Sequence, residues 1–172
     1  KFDLSGANVV GTVNLTGDFY LTAGSITETS GGSGLIVFNK SNGVQNYIFT
    51  GGSVSGVINF TVSNTTTLQM DSEGYLEGGG TCTLSAGATL GVTSADGIST
   101  SGATGNVRTA GRVFLAGSNL IYNGDVDQVA GSGRANTTKA NVTINNPGNT
   151  VTLSGNTTIS AGLTVTAGST LD

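Results

Sequence analysis

Apolar residues in this chain alternate with Thr, Ser or Asn in short runs, most of them three to six residues long, and half of the gaps between runs are only three or four residues. The runs lie at 13–15, 19–22, 35–38, 47–50, 57–62, 67–70, 81–85 and 89–92. They continue at 112–115, 119–122, 141–144, 150–153, 157–159, 163–166 and 170–171. A period of two marks a strand with one buried face, and no helical stripe competes with it. The breaks read SGG, TGG, EGGG, AG, NG and NPG. With 29 Gly and a single Pro, the turns must reach positive φ through Gly and Asn. Strands this brief, at intervals this brief, leave little room for the long return connections of a sandwich.

The expected fold is all-β: a right-handed parallel β-helix, or β-solenoid, of roughly seven to eight coils. At about 20–25 residues per coil and about 4.8 Å between coils, the rod would be about 35 Å long. Inward positions would carry ladders of Val, Leu, Ile and Ala, and outward positions ladders of Thr, Ser and Asn, with stacked Asn bonding to its neighbours. The alternative is a tandem β-sandwich, for which Asn42-Gly43 and Asn123-Gly124 are hairpin signals. One phrase recurs, with its Ala-Gly step at Ala23, Ala86 and Ala167. Each step is expected to turn a corner, the three being corresponding corners of different coils. Leu21, Leu84, Leu90, Leu163, Val165 and Leu171 should then point inward, with Thr164 and Thr166 outward. Val142, Ile144, Val151 and Leu153 belong to the same apolar ladders.

Charged residues make up 9% of the chain, against about 25% in ordinary domains. Thr, Ser, Asn and Gly together supply more than half of it. The hydrophobic share, 36%, is rich in Val, Leu and Ile and so argues against disorder. Lys1, Lys40, Arg108, Arg112, Arg134 and Lys139 form no dense basic run, which argues against nucleic acid as a partner. No apolar stretch approaches the ~20 residues of a membrane helix, so membrane insertion is not expected. One cysteine, Cys82, rules out an intrachain disulfide framework. Low charge with one Cys and one Met suits an exported bacterial protein. Asn-x-Thr triplets at Asn14, Asn59, Asn64, Asn136, Asn141 and Asn156 follow by chance from such a composition. The chain opens at Lys1 and stops at Asp172 inside the recurring phrase, so it is expected to be a segment of a longer repetitive protein. That segment divides into a first repeat block at 1–104 and a second at 105–172.

The second block carries a resemblance. It holds Tyr122-Asn123-Gly124, then Gln128-Val129-Ala130-Gly131, then Val142-Thr143-Ile144-Asn145-Asn146 and Val151-Thr152-Leu153-Ser154, in that order. This succession is similar to a repeat of very large adhesin-like surface proteins of bacteria that use type IX secretion. The earlier part, from VNLTGDFYLTAGSIT through LIVFN and INFTV to CTLSAGATLG, resembles the block that usually precedes that repeat. The resemblance implies a right-handed parallel β-helix in an extracellular, adhesive or fibre-forming protein. The spacer 134–139 departs from the family, which more often has Leu-Pro there.

Chemistry-bearing residues are sparse. The chain has no His, which removes the commonest general base and metal ligand. Asp71, Glu73 and Glu77 lie within seven residues and are the candidate acid–base carboxylates, or else solvated turn charges. Asp125 and Asp127 share an alternation phase and are weak candidates for a Ca²⁺ site. Arg108 and Arg112 would be placed to clamp an acidic sugar. Tyr20, Tyr47, Tyr75 and Tyr122 would stack on sugars if exposed in one row, and otherwise pack at walls and coil ends. Cys82 is expected to be a small buried residue. Thr65-Thr66-Thr67, Thr81 with Thr83, Thr157-Thr158 and Thr164 with Thr166 are candidates for an ice-binding array, at irregular intervals.

The leading expectation is a structural, non-catalytic segment of an extracellular or cell-surface adhesin or fibre, with no cofactor. Its partners would be further coils of the same or an identical chain, and a surface polysaccharide. The alternatives are a carbohydrate-binding module, a polysaccharide-degrading enzyme and an ice-binding protein.

Overall fold

A computed structural model describes residues 1–99, 104–134 and 137–172. Among these residues there is no helix. Twenty short strands wind into a parallel β-solenoid of about seven turns. The chain enters through β1 (Phe2–Asp3). The first turn is β2 (Gly11–Leu15), β3 (Phe19–Leu21) and β4 (Ser25–Thr27), and the second is β5 (Gly34–Phe38), β6 (Val44–Phe49) and β7 (Ser53–Ser55). The third holds β8 (Ile58–Val62) and β9 (Thr67–Met70), and the fourth β10 (Thr81–Leu84) and β11 (Thr89–Val92). Then come β12 (Gly111–Phe114), β13 (Asn119–Tyr122) and β14 (Gln128–Val129), followed by β15 (Thr137–Thr138), β16 (Asn141–Ile144) and β17 (Thr150–Thr152). The last turn is β18 (Thr158–Ile159), β19 (Leu163–Val165) and β20 (Thr170–Leu171).

Like strands of successive turns stack into walls. The first wall is β2-β5-β8-β10-β12, continued by the separate pair β15-β18. The second is the unbroken seven-strand ladder β3-β6-β9-β11-β13-β16-β19. The third is β1-β4-β7 at one end and β14-β17-β20 at the other, with the Leu76–Val107 bridge between them. Every strand pair is parallel, so Asn42-Gly43 and Asn123-Gly124 turn corners instead of closing hairpins. The second wall runs through both 1–104 and 105–172. Of the spacer 134–139, residues 135–136, including the Asn136 triplet, lie outside the described residues.

Side-chain alternation follows the ladder. On the second wall Leu68, Leu90, Leu120 and Val142 and, two residues on along the same strands, Met70, Val92, Tyr122 and Ile144 point into one core. On the first wall Phe38, Phe60, Val62, Cys82 and Leu84 do the same. Near the start of the core the Phe19 and Tyr47 rings stack at 4.8 Å and Phe38 meets both edge-on. Leu21, Leu84, Leu90, Val142, Ile144 and Val151 are buried and Leu171 is half-buried. Leu163 and Val165 stand in register over Val142 and Ile144, yet are 47% and 44% exposed because nothing covers them from above; Leu153 is also exposed.

Turn lengths vary because the corners vary. Asn119 to Asn141 is one turn of 22 residues, whereas Thr89 to Asn119 takes 30. The extra residues follow β11, where the chain reaches Ile98 and returns to form an antiparallel bridge at Gly105. The three Ala-Gly steps do not all turn one corner, contrary to the expectation from the phrase. Ala23-Gly24 and Ala167-Gly168 join the second wall to the third, while Ala86-Gly87 joins the first to the second. What they share is local: Gly24, Gly87 and Gly168 all have φ near +80°. That is a left-handed conformation which only Gly adopts without strain.

Candidate functional site: a cleft at the long turn

The corner between the second and third walls is held by buried carboxamides. Asn106 is fully buried and satisfies all of its polar capacity. Its Oδ1 accepts the Thr93 and Ser94 amides, both at 2.8 Å, and its Nδ2 donates to the Asp71 and Gly74 carbonyls. Gln128, also buried, accepts the Gly124 amide and donates to the Val92 and Ser94 carbonyls. Asn146 in the next turn donates to the Val126 carbonyl and to Gln128 Oε1. These amides replace the ladder bonds that the strands cannot supply at a corner. They fix the loops of four successive turns, the third to the sixth, against one another.

Between those loops lies a cleft of about 440 Å³. Glu73 from the third turn, Asp96 from the fourth and Asp125 from the fifth line it, together with Arg108. The Arg108 Nε donates to the Gly105 carbonyl at 2.9 Å, and its guanidinium lies 3.9 Å above the Tyr75 ring. Tyr75 is itself packed against Phe49, with ring centres 4.6 Å apart. A cation on an aromatic face, backed by a second ring, is held in place. The cleft therefore sets one fixed guanidinium beside three carboxylates.

Glu73, Arg108 and Asp125, three residues singled out from the sequence, thus line one cleft, joined by Asp96. The other candidates are dispersed. Asp71 Oδ2 accepts the Phe49 amide at 2.7 Å and Glu77 Oε1 accepts the Val54 amide, so two of the three clustered carboxylates cap the preceding turn. Asp127 Oδ1 takes the Thr150 amide at 2.8 Å. Among the described residues no three Asp, Glu, Cys or His side chains are grouped as a metal site. Arg112 lies away from Arg108, on β12 in register with Cys82.

The tyrosines form no exposed row. Tyr47 and Tyr122 are buried and donate to the Tyr75 and Ala130 carbonyls. Burial raises both phenols, Tyr122 to about 12. Only Tyr20 among the four is largely exposed. Cys82 is fully buried, and burial pushes its thiol up to about 12. Outward threonines do meet in register, Thr61 with Thr83, Thr67 with Thr89 and Thr143 with Thr164. Asn119, Val37 or Val113 ends the first two of these runs after two turns. Asn141 Nδ2 donates to Asn119 Oδ1 at 3.0 Å, a short amide ladder on the outer face.

Asp96, Asn106 and Gln128 carried no signal as separate residues. The absence of any alternating run between 92 and 112 was the available clue, since it marks the long turn that builds the cleft. No known protein family, curated protein or solved structure matches this chain.

Proposed function

We propose that this chain is a structural, non-catalytic length of an extracellular or cell-surface bacterial adhesin or fibre, acting as a rigid stalk or stacking subunit. The observation that carries the reading is the unbroken second wall. Seven strands are joined by parallel ladders, and the last of them leaves Leu163 and Val165 uncovered above Val142 and Ile144. A turn of a solenoid cannot bury its apolar ladder alone, so stability grows with each added turn. An open edge also presents unpaired amides and carbonyls to a further strand. The partner is accordingly another set of coils, from the same or an identical chain. The ordered phrases at 122–154 support an origin among adhesin-like proteins of type IX secretion, and a surface polysaccharide as the adhesive target. Sedimentation velocity of residues 1–172 tests the stacking part. Concentration-dependent, elongated oligomers are expected, and a protein that stays monomeric and soluble at high concentration overturns it.

The cleft supports a second reading, a carbohydrate-binding module. Glu73, Asp96, Asp125 and Arg108 offer hydrogen-bonding groups to sugar hydroxyls around a volume that accommodates one or two rings. A glycan array without hits counts against it.

A further inference from the structure

The two Asn-Gly steps carry a chemistry that the stalk reading does not use. In such a step the backbone nitrogen of Gly attacks the Asn side-chain Cγ, closes a five-membered imide and expels ammonia. Gly favours this attack because it has no Cβ to crowd the nitrogen. Water then opens the ring at either carbonyl and leaves aspartate or isoaspartate. The attack needs a Gly amide free to give up its proton and an Asn side chain free to turn. The two steps differ in both respects.

Asn42-Gly43 turns the corner between β5 and β6, and both residues are exposed. Among the described residues neither the Gly43 amide nor the Asn42 side chain has a hydrogen-bond partner. Nothing lies within 4 Å of the place a Cβ would take at Gly43. The flanks are nevertheless held. Lys40 Nζ donates to the Val44 carbonyl at 2.7 Å and to Asp18 at 3.3 Å, and Gln45 Nε2 donates to the Leu15 and Gly17 carbonyls.

Asn123-Gly124 follows β13 and is closed on both counts. The Gly124 amide donates to Gln128 Oε1 at 2.9 Å inside the buried corner, and the Asn123 carboxamide is paired with that of Gln69. Gly124 is buried, and the Thr93 carbonyl oxygen stands 2.7 Å from where its Cβ would be.

We infer that Asn42 is a site of spontaneous covalent modification, at which the Gly43 nitrogen closes on Asn42 Cγ, ammonia leaves and water adds. The matching step at Asn123 is guarded by Gln128 and Gln69. Either product makes the chain one unit more negative than its −4 at pH 7. Isoaspartate also lengthens the main chain by one carbon, and the anchored flanks confine that insertion to residues 41–43. The site does not depend on the stalk reading.

The test holds the 172-residue protein in warm, mildly alkaline buffer. The peptides containing Asn42 and Asn123 are followed by mass spectrometry, and isoaspartyl methyltransferase labelling counts isoaspartate. In the folded protein Asn42 is expected to convert about tenfold or more faster than Asn123, which must wait for its corner to open. Both acids should appear at position 42. In guanidinium chloride the guard is gone, and the two steps should convert at similar rates. Gly43→Ala should slow conversion at 42 several-fold. Gln128→Ala should speed conversion at 123, and Gln69→Ala, on the outer face and less costly to the fold, should do so to a smaller extent. Equal rates at the two steps in the folded protein overturn the inference, as does aspartate without isoaspartate at 42. It is equally overturned if Asn42 converts no faster in the parent than in Gly43→Ala.

Discussion

The side chains of Gln69 and Asn123 exchange two hydrogen bonds, Asn123 Nδ2 to Gln69 Oε1 at 2.8 Å and Gln69 Nε2 to Asn123 Oδ1 at 3.3 Å, although 54 residues separate them. Gly91, in register with Gln69, lies on the strand between them. A Cβ added at Gly91 would stand 2.3 Å from Gln69 Oε1. The bare glycine lets an amide of the third turn reach over the fourth to the fifth. Gly91→Ala should therefore cost about 2 kcal/mol, although Gly→Ala in a strand ordinarily stabilises. Urea unfolding of the variant and of Asn123→Ala checks this, and the two losses should not add, because they break the same clasp.

Thr65 is the one described residue other than Gly with positive φ, +66°. Its counterpart one turn on is Gly87, at φ +78°. A β-branched residue held there costs about 1–2 kcal/mol, partly offset by the flexibility that Gly brings to the unfolded chain. Thr65→Gly is expected to stabilise by about 0.5–1 kcal/mol. Gly117→Ala, at φ +81° with open space around the new methyl, is expected to destabilise by about 1 kcal/mol through the backbone alone. Opposite shifts in the urea midpoint are the required outcome.

Asn106→Ala should be far more damaging than its one side chain suggests. It strands the Thr93 and Ser94 amides and the Asp71 and Gly74 carbonyls inside the corner. A loss of about 3 kcal/mol or more is expected, since each buried unsatisfied group costs about 1–3 kcal/mol. Hydrogen exchange should rise first at residues 71–74 and 93–94.

Burial raises the Cys82 thiol in the folded chain to about 12, against about 8.5 in an unfolded one. Above the lower value the unfolded state sheds a proton that the folded state keeps. Stability from this source is thus complete below pH ~8.5 and falls by about 1.4 kcal/mol per pH unit above it. Cys82→Ala should flatten that decline between pH 9 and 10, and the native thiol should resist alkylation until the protein unfolds. At the acid end the sign reverses. Hydrogen bonds from Ser5 and Ser30 lower Glu28, and those from the Asn46 amide and side chain lower Asp18. Falling pH removes these contacts, so the first two turns should lose exchange protection before the rest.

Two walls of the solenoid were legible in the sequence and the third was mostly not. In the first and second walls β5, β6, β8, β9, β10, β11, β13 and β16 each bury two or more residues, so LIVF at 35–38 or TLQM at 67–70 shows its alternation. Third-wall strands such as SIT in β4 and SVS in β7 carry a single apolar residue between hydroxyls, half-buried Ile26 and buried Val54. A single residue has no period. Parallel stacking followed from strand brevity, and the number of turns from the chain length at about 20–25 residues per coil. The cleft was not legible because Glu73, Asp96 and Asp125 are brought together by turn lengths that no local pattern encodes. Glu77 and Asp71 read as solvated charges, yet each caps an amide one turn back.

The continuity of the second wall has a mechanical meaning as well. Its seven strands are joined one after another, so a load along the rod passes through those ladders in series. The column is then no stronger there than its shortest registers, the three-residue pairings of β3 with β6, β9 with β11 and β16 with β19.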